Sequence, residues 1–198
     1  MTATKAPFGL RPGRKRGSGY NAEALNTYRI ANGQTGDIFY GDPVFLLSTG
    51  TICLLSATAT AGVALGVFQG CVYNNPSNGN QPTFSRRWIS ATSATDGTKP
   101  YAYVLDDSRA TFLIQADASI TAGDVGYNFP VSLGAGTTLT GSSTTVLKAA
   151  SRTVATALLQ VVGIYDTPDN AYSNEVTTDL YPIVEVRWNM HRDNIVSI

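Results

Sequence analysis

Apolar and polar residues alternate along several short stretches of the chain, each of which ends at glycine, proline or a polar cluster. In residues 110–116, Phe112 and Ile114 would face one side of a strand, and Thr111 and Leu113 the other. A period of two residues is typical of a β-strand with one buried face. The pattern therefore predicts an all-β chain.

Turn-forming residues bound further predicted strands. The long apolar run at 63–73 contains Gly66 and Gly70, which indicate bulges or bends. Residues 74–82 are predicted to form a loop, and the Gly/Thr/Ser-rich residues 125–150 a hairpin with a long exposed tip. We expect a small β-barrel or β-sandwich with long loops. The remaining predicted strands lie at 27–31, 38–40, 44–48, 51–56, 84–90, 101–105, 155–165 and 183–188.

The composition excludes a mostly helical protein. Charged residues make up 14% of the chain, against roughly 25% in an average soluble domain. The sequence holds only three Glu and four Lys, too few to coat the solvated faces of several helices. Its 7 Phe and 10 Tyr accompany a full aliphatic complement, which excludes disorder throughout.

The net charge of zero conceals a basic N-terminus. Residues 1–22 carry five basic side chains and no acid, whereas the other 176 carry nine basic and fourteen acidic ones. We expect residues 1–22 to form an extended arm without fixed structure in the free protein, ahead of a β-rich body at residues 23–198. Phe8 and Leu10 are its apolar anchors. Its basic residues are Lys5, Arg11, Arg14, Lys15 and Arg16.

A loose internal repeat divides the body. Gly41-Asp42 is followed by a strand pattern that recurs after Gly123-Asp124. This predicts two related hairpin modules, at residues 41–73 and 122–166, with an elaboration between them. Asp42 and Asp124 are then expected to cap turns rather than to act as catalytic acids.

Few residues suggest catalytic chemistry. With His191 as the single histidine, no Ser/His/Asp or Cys/His arrangement can be assembled. Cys53 and Cys71 are expected to be small buried side chains in a reducing compartment. Asp106-Asp107 favours a turn with local hydrogen bonds over a calcium site. We therefore expect no enzyme activity, no metal and no cofactor.

Neither nucleic acid nor a membrane is an expected partner. Residues 43–85 are uncharged, but polar residues and glycines interrupt them too often for a membrane span, and no secretory signal is evident at the N-terminus. Arg86 and Arg87 beside Trp88 could stack on a base. Because the body is mildly acidic, we expect these three residues to make contacts between subunits instead.

Several segments of the first half of the chain carry a resemblance to a known class of protein. They are Ala6-Pro7-Phe8-Gly9-Leu10-Arg11-Pro12, Tyr28-Arg29-Ile30-Ala31, Gly41-Asp42-Pro43-Val44, Gly66-Val67-Phe68, Trp88 and Ala102-Tyr103-Val104-Leu105-Asp106-Asp107. These segments resemble small structural proteins of tailed bacteriophages, the decoration or cement proteins of the head. The resemblance spans residues 6–117 and does not extend to the Gly/Thr-rich stretch 134–145.

This resemblance implies a protein that is assembled in the bacterial cytoplasm and located on the outer surface of the virion capsid. It would stabilise the shell by bridging subunits of the major capsid protein. We expect a homo-oligomer, with a trimer favoured by analogy and a dimer as the alternative. The capsid-binding residues would be those of the arm: Phe8, Leu10, Arg11, Arg14, Lys15 and Arg16.

Two other classes of function remain open. A phage adhesin or tail-fibre-like module would bind carbohydrate through Tyr and Asn in the loops at 74–82 and 165–174. A small hydrolase would need a carboxylate site assembled from Asp42, Asp106, Asp107 or Asp124.

Overall fold

The structure is a computed structural model that describes eight stretches of the chain. These are residues 4–15, 25–31, 34–54, 63–75, 78–90, 100–153, 156–165 and 181–194. They confirm the all-β prediction. Within them, helix is limited to short 3-10 turns, among them Ala122–Asp124, Ala149–Ser151 and Arg192–Asn194.

The strands are short, and most are separated by tight turns. In chain order they are β1 (Arg11–Lys15), β2 (Leu25–Ile30), β3 (Ile38–Phe39), β4 (Pro43–Leu46), β5 (Thr51–Leu54), β6 (Gly66–Asn75), β7 (Gln81–Ser85), β8 (Arg87–Trp88), β9 (Tyr101–Leu105), β10 (Ala110–Gln115), β11 (Asn128–Phe129), β12 (Val131–Ser132), β13 (Val146–Leu147), β14 (Leu159–Ile164) and β15 (Ile183–Trp188).

Five strands of the N-terminal half close into a ring, which we call the first barrel. Their order is β4, β5, β2, β9 and β6, and the ring closes because β4 also pairs with β6. All neighbours are antiparallel except β5 and β2, which are parallel. The far end of β6 forms a hairpin with β7, so the loop predicted at 74–82 is shorter than expected.

The C-terminal half closes in the same way into a second barrel. β10, β15, β14 and β11 are antiparallel neighbours in that order. Past Pro130 the chain continues from β11 into β12, which pairs with β13. A parallel bridge between Leu147 of β13 and Ala116, directly after β10, closes the ring. Both barrels therefore use their strands in the same chain order.

The match extends to single hydrogen bonds. In the first barrel the Ala31 N–H donates to the Ile52 carbonyl at 2.9 Å. In the second, the Asp117 N–H donates to the Leu147 carbonyl, also at 2.9 Å. The chain is therefore a tandem pair of barrels with the same strand topology and hydrogen-bond register.

The repeat is larger than the two modules predicted at 41–73 and 122–166, and its register is different. Gly41 donates its N–H to the Phe68 carbonyl at 2.9 Å, and Gly126 donates to Val161 at 2.9 Å. Gly41 thus corresponds to Gly126 rather than to Gly123, and both have positive φ angles, of 93° and 91°. The supposed elaboration between the modules supplies β9 to one barrel and β10 to the other.

Each barrel has its own apolar interior, built from matching positions. On neighbouring strands the first barrel carries Val44 and Phe68, where the second carries Phe129 and Val161. The large and the small residue are exchanged, which conserves core volume. The other matched interior residues are Ile30, Ile52, Ala102 and Val104 in the first barrel, and Ala116, Leu147, Val184 and Val186 in the second.

The N-terminal segment belongs to the body, so the expectation of an arm without structure is wrong for residues 4–15. β1 pairs antiparallel with β10, with Arg11 opposite Leu113. Leu10 is fully buried in the cluster that forms the second barrel's core. The Gln115 side chain bonds the backbone of residues 4 and 6 at 3.0 and 2.9 Å. This pairing and burial offset an ordering cost of about 1–2 kcal/mol per residue. Residues 16–22 lie outside the described part.

β6 and β14, which occupy matching places in the two barrels, each have a β-bulge at a glycine. The register shifts between Phe68 and Gly70 in β6, as predicted, and between Val161 and Gly163 in β14. Gly66 has another role. A Cβ atom there would lie 2.3 Å from the backbone oxygen of a residue in β9, so only glycine permits this close approach.

We expect Gly66→Ala to lower the free energy of unfolding by about 1–3 kcal/mol, because the added methyl group meets rigid backbone. Gly163→Ala is the matched control, since a Cβ there meets nothing within 4 Å. Urea denaturation would measure both variants. Equal stability of the two would contradict the packing argument.

Candidate protein interaction surface

A buried carboxylate joins the two barrels. Asp42, which is 2% exposed, accepts a hydrogen bond from the backbone N–H of Phe39 at 2.8 Å. Its other oxygen accepts from the hydroxyls of Ser143 and Thr145, at 2.5 and 2.9 Å. These hydroxyls are 101 and 103 residues away along the chain. We call this cluster of four residues the junction.

The Gly/Thr-rich stretch 134–145, for which the sequence suggested no role, brings those hydroxyls to Asp42. It lies between β12 and β13, where the first barrel has only a short turn between β4 and β5. Tyr40 donates its N–H to the Gly141 carbonyl, and Ser143 donates to the Tyr40 carbonyl, both at 2.9 Å. At Gly136 a Cβ would lie 2.2 Å from the Phe39 ring. The stretch is therefore a strap that holds the second barrel to the first.

Burial raises the pKa of Asp42, and the hydrogen bonds from Ser143, Phe39 and Thr145 lower it by less. None of the ion pairs between described residues includes Asp42. Its charge is therefore stabilised by neutral donors alone, which is costly in a buried place.

The turn-capping role expected for Asp42 and Asp124 is confirmed. Each carboxylate accepts the backbone N–H three residues earlier, that of Phe39 or Thr121, at 2.8 Å. At Asp124 burial raises the pKa, but the bonds from Thr121 and Arg152 outweigh it and hold the value below its usual range. The same kind of turn is thus partly exposed at Asp124 and buried in the junction at Asp42.

The outer side of the first barrel carries an exposed apolar surface, which we call the aromatic face. β7, β6, β9 and β2 lie side by side there, with Phe84 opposite Val72 and Val72 opposite Tyr101. The Phe84 and Tyr103 rings lie 6.2 Å apart. Phe84 is 59% exposed, Leu25 47% and Tyr101 44%. Exposed apolar clusters of this kind mark interaction sites.

The remaining part of this outer side of the first barrel is buried against the second barrel. Val67 and Leu105 share the aromatic face's side of the sheet but are buried against the second barrel's core cluster. The matching positions of the second barrel are Gln160 and Arg187, which bond each other at 2.7 Å. The barrels therefore differ on their outer surfaces, and the first has the apolar one.

The predicted arm residues are separated by the structure. Leu10 is buried in the chain's own core, so it cannot anchor the protein to a partner as expected. Phe8 and Arg11 stay at the surface, where the guanidinium lies 4.3 Å from the ring centroid. Arg14 and Lys15 lie in β1, and their side chains are outside the description, as is all of Arg16.

The contacts between subunits expected at residues 86–88 stay a prediction, and the structure shows how far each of the three side chains is accessible. Trp88 is buried, with its ring packed edge-on against Tyr73 at 5.7 Å. Arg87 pairs with Asp37 of the same chain at 3.7 Å. Arg86 lies over the ring of Tyr40, 4.4 Å from its centroid, and remains exposed.

The other acids take structural roles. Asp106 accepts bonds from Asn26 and from the Tyr28 hydroxyl, and burial followed by this bond raises the pKa of Tyr28 to about 12. Asp107 accepts the backbone N–H of Arg109 at 2.8 Å, which is the local turn that was predicted. Among the described residues no three His, Cys, Asp or Glu side chains form a group that could hold a metal ion.

The single histidine, the two cysteines and the loops predicted to bind carbohydrate are the remaining candidate residues. His191 accepts the Asp193 N–H at Nδ1, so its Nε2–H donates to the Leu65 carbonyl at 2.7 Å and ties the C-terminus to the first barrel. Cys53 and Cys71 are free thiols, as expected, and burial raises the pKa of Cys71 to about 12. Of the carbohydrate-binding loops, residues 166–174 lie outside the described part.

Comparison of the chain with protein-family models, with curated proteins and with solved structures finds no match. In the part of the chain that the structure describes, no helix has the length and apolar character to cross a membrane.

We expect Asp42→Ala to destabilise the protein by about 2–4 kcal/mol, because three buried donors lose their acceptor. Asp124→Ala is the control, which removes the same kind of turn cap together with the ion pair to Arg152 at a partly exposed site, and should cost about 1 kcal/mol. Thermal and urea unfolding would measure both. A loss at Asp42 no larger than that at Asp124 would count against the junction.

The raised pKa of Asp42 also predicts a pH dependence. The folded state binds this proton more tightly than the unfolded state, so the contribution to stability is present at low pH. It is lost as the pH rises from about 4 through the folded-state pKa. The unfolding free energy of the native chain minus that of Asp42→Asn should therefore fall with rising pH. A flat or rising difference would contradict this.

Proposed function

We propose that the chain is a structural protein of a tailed-phage head, a decoration protein that binds the outer surface of the shell and bridges subunits of the major capsid protein. The observation that carries the proposal is the aromatic face, an exposed apolar surface on a body with few charges. The resemblance of residues 6–117 to such proteins supports the same assignment.

The aromatic face suits this role because protein interfaces are enriched in aromatic side chains and depleted of charge at their centres. Phe84 and Tyr101 would supply the central contacts, with Arg29 at the border, 5.8 Å from the Tyr101 ring centroid. Burying one such side chain contributes about 1.5–3 kcal/mol. Many copies on one shell add these contributions, so the mechanism needs area and rigidity rather than a catalytic group.

The interior of the body suits a protein that transmits force between its partners. The strap and the junction tie the two barrels at widely separated points of the chain, and Leu10, directly before β1, donates its N–H to the Gly41 carbonyl at 2.9 Å. A partner held on the first barrel is thus connected to the second barrel through buried contacts. We propose further that the protein acts as a homo-oligomer, with a trimer expected. Mass measurement in solution would test that assembly.

The test uses empty heads assembled from the major capsid protein of the proposed phage. Sedimentation would measure how much protein the heads bind as its concentration is raised. Phe84→Ser should weaken binding roughly 10- to 100-fold, the equivalent of burying one aromatic side chain. Tyr101→Ser is a second variant, because the Phe84 ring also covers Gly70.

Leu139→Ser is the matched control, since Leu139 is a 93% exposed apolar residue outside the aromatic face. It should bind heads as the native chain does. Failure of the native chain to bind heads would overturn the proposed function. Normal head binding by both Phe84→Ser and Tyr101→Ser would show that the aromatic face is not the surface that binds heads.

A further inference from the structure

One edge of β2 is left unpaired by the described residues. The Ile30 N–H donates to the Pro100 carbonyl, so the even-numbered residues of β2 face β9. The backbone N–H and C=O groups of Leu25 and Thr27 therefore point to the opposite edge. There the neighbouring strand β5 reaches only as far as Arg29. Unpaired sheet edges are places where extended chains add as further strands.

The equivalent edge of the second barrel is occupied. In the common register Leu25 and Thr27 correspond to Thr111 and Leu113 of β10. There β1 pairs as an extra antiparallel strand, with Arg11 opposite Leu113. The same fold, at the same position, has thus accepted an extended segment once within this molecule.

We infer that the Leu25–Thr27 edge is an acceptor for an extended strand of the major capsid protein, an inference that rests on the proposed function. Among the described strands, β1 is used on the second barrel and β5 covers β2 only from Arg29 onwards. We assign the added strand to the partner in the proposed function, the major capsid protein.

The surroundings define the chemistry of that strand. Side chains at alternate positions of an added strand would lie beside Leu25 and Thr27, on the side of the sheet that carries the aromatic face. Leu25, on β2 itself, is 47% exposed there. The incoming segment should therefore carry apolar side chains at alternate positions, with backbone hydrogen bonds supplying the rest of the contact.

Hydrogen exchange of the full-length chain, free and bound to empty heads, tests the inference. In the free chain the amides of Leu25 and Thr27 should exchange fast, whereas that of Leu113, which by the same alternation faces β1, should be protected. Binding to heads should slow exchange at Leu25 and Thr27 at least 100-fold.

A matched pair of variants isolates the backbone contact. Thr27→Pro removes an N–H on an unpaired edge, where proline is tolerated, and should weaken head binding at least 10-fold. Thr27→Val keeps the N–H with a side chain of similar size and should bind normally. Thermal unfolding of both variants would show whether the fold is retained. If Thr27→Pro does not fold, the exchange rates of Leu25 and Thr27 in the native chain still test whether a strand is added at this edge.

Four results would overturn the inference. If heads bind the chain while Leu25 and Thr27 still exchange fast, or if Thr27→Pro binds as well as Thr27→Val, the proposed function stands and the acceptor edge does not. If the same amides become protected when the chain self-associates without heads, the strand comes from a second copy. If the native chain does not bind heads, both the proposed function and the capsid strand are wrong.

Discussion

The placement of the two barrels depends on how the charge of Asp42 is satisfied. A buried carboxylate is costly unless donors surround it, and here the donors come from a backbone turn of the first barrel and from two hydroxyls of the strap. Because Ser143 and Thr145 reach Asp42 only when the strap lies across the first barrel, satisfying this charge selects one arrangement of the two halves.

The tandem repeat shows how one strand topology can support two different outer surfaces. The hydrogen-bond register is common to both barrels, and the interiors differ by compensating exchanges such as Val44 and Phe68 for Phe129 and Val161. Outer surfaces do not have to conserve volume, and here they differ. One barrel accepts the N-terminal strand, and the other presents the aromatic face beside an edge that the described residues leave unpaired.

The N-terminal segment illustrates the difference between composition and context. Five positive charges, prolines and glycines in residues 1–22 are typical of an unfolded arm. Yet Leu10 finds a place in the core, and the backbone of β1 finds an open edge of β10. Neither the core nor the edge is visible from the segment itself, because both are built by residues about 100 positions away.

The sequence by itself determined the all-β class, the alternating strands such as 110–116, the bulge at Gly70 and the turn caps at Asp42 and Asp124, because these depend on neighbours within a few residues. Only the tertiary structure decided that Leu10 is buried, that 134–145 is a strap and that Phe84, Tyr101 and Leu25 share one face. Those facts depend on which distant strands pair. The two barrels share one strand register, but their sequences show it only loosely. The reason is that a sheet constrains backbone pairing and core volume more than residue identity.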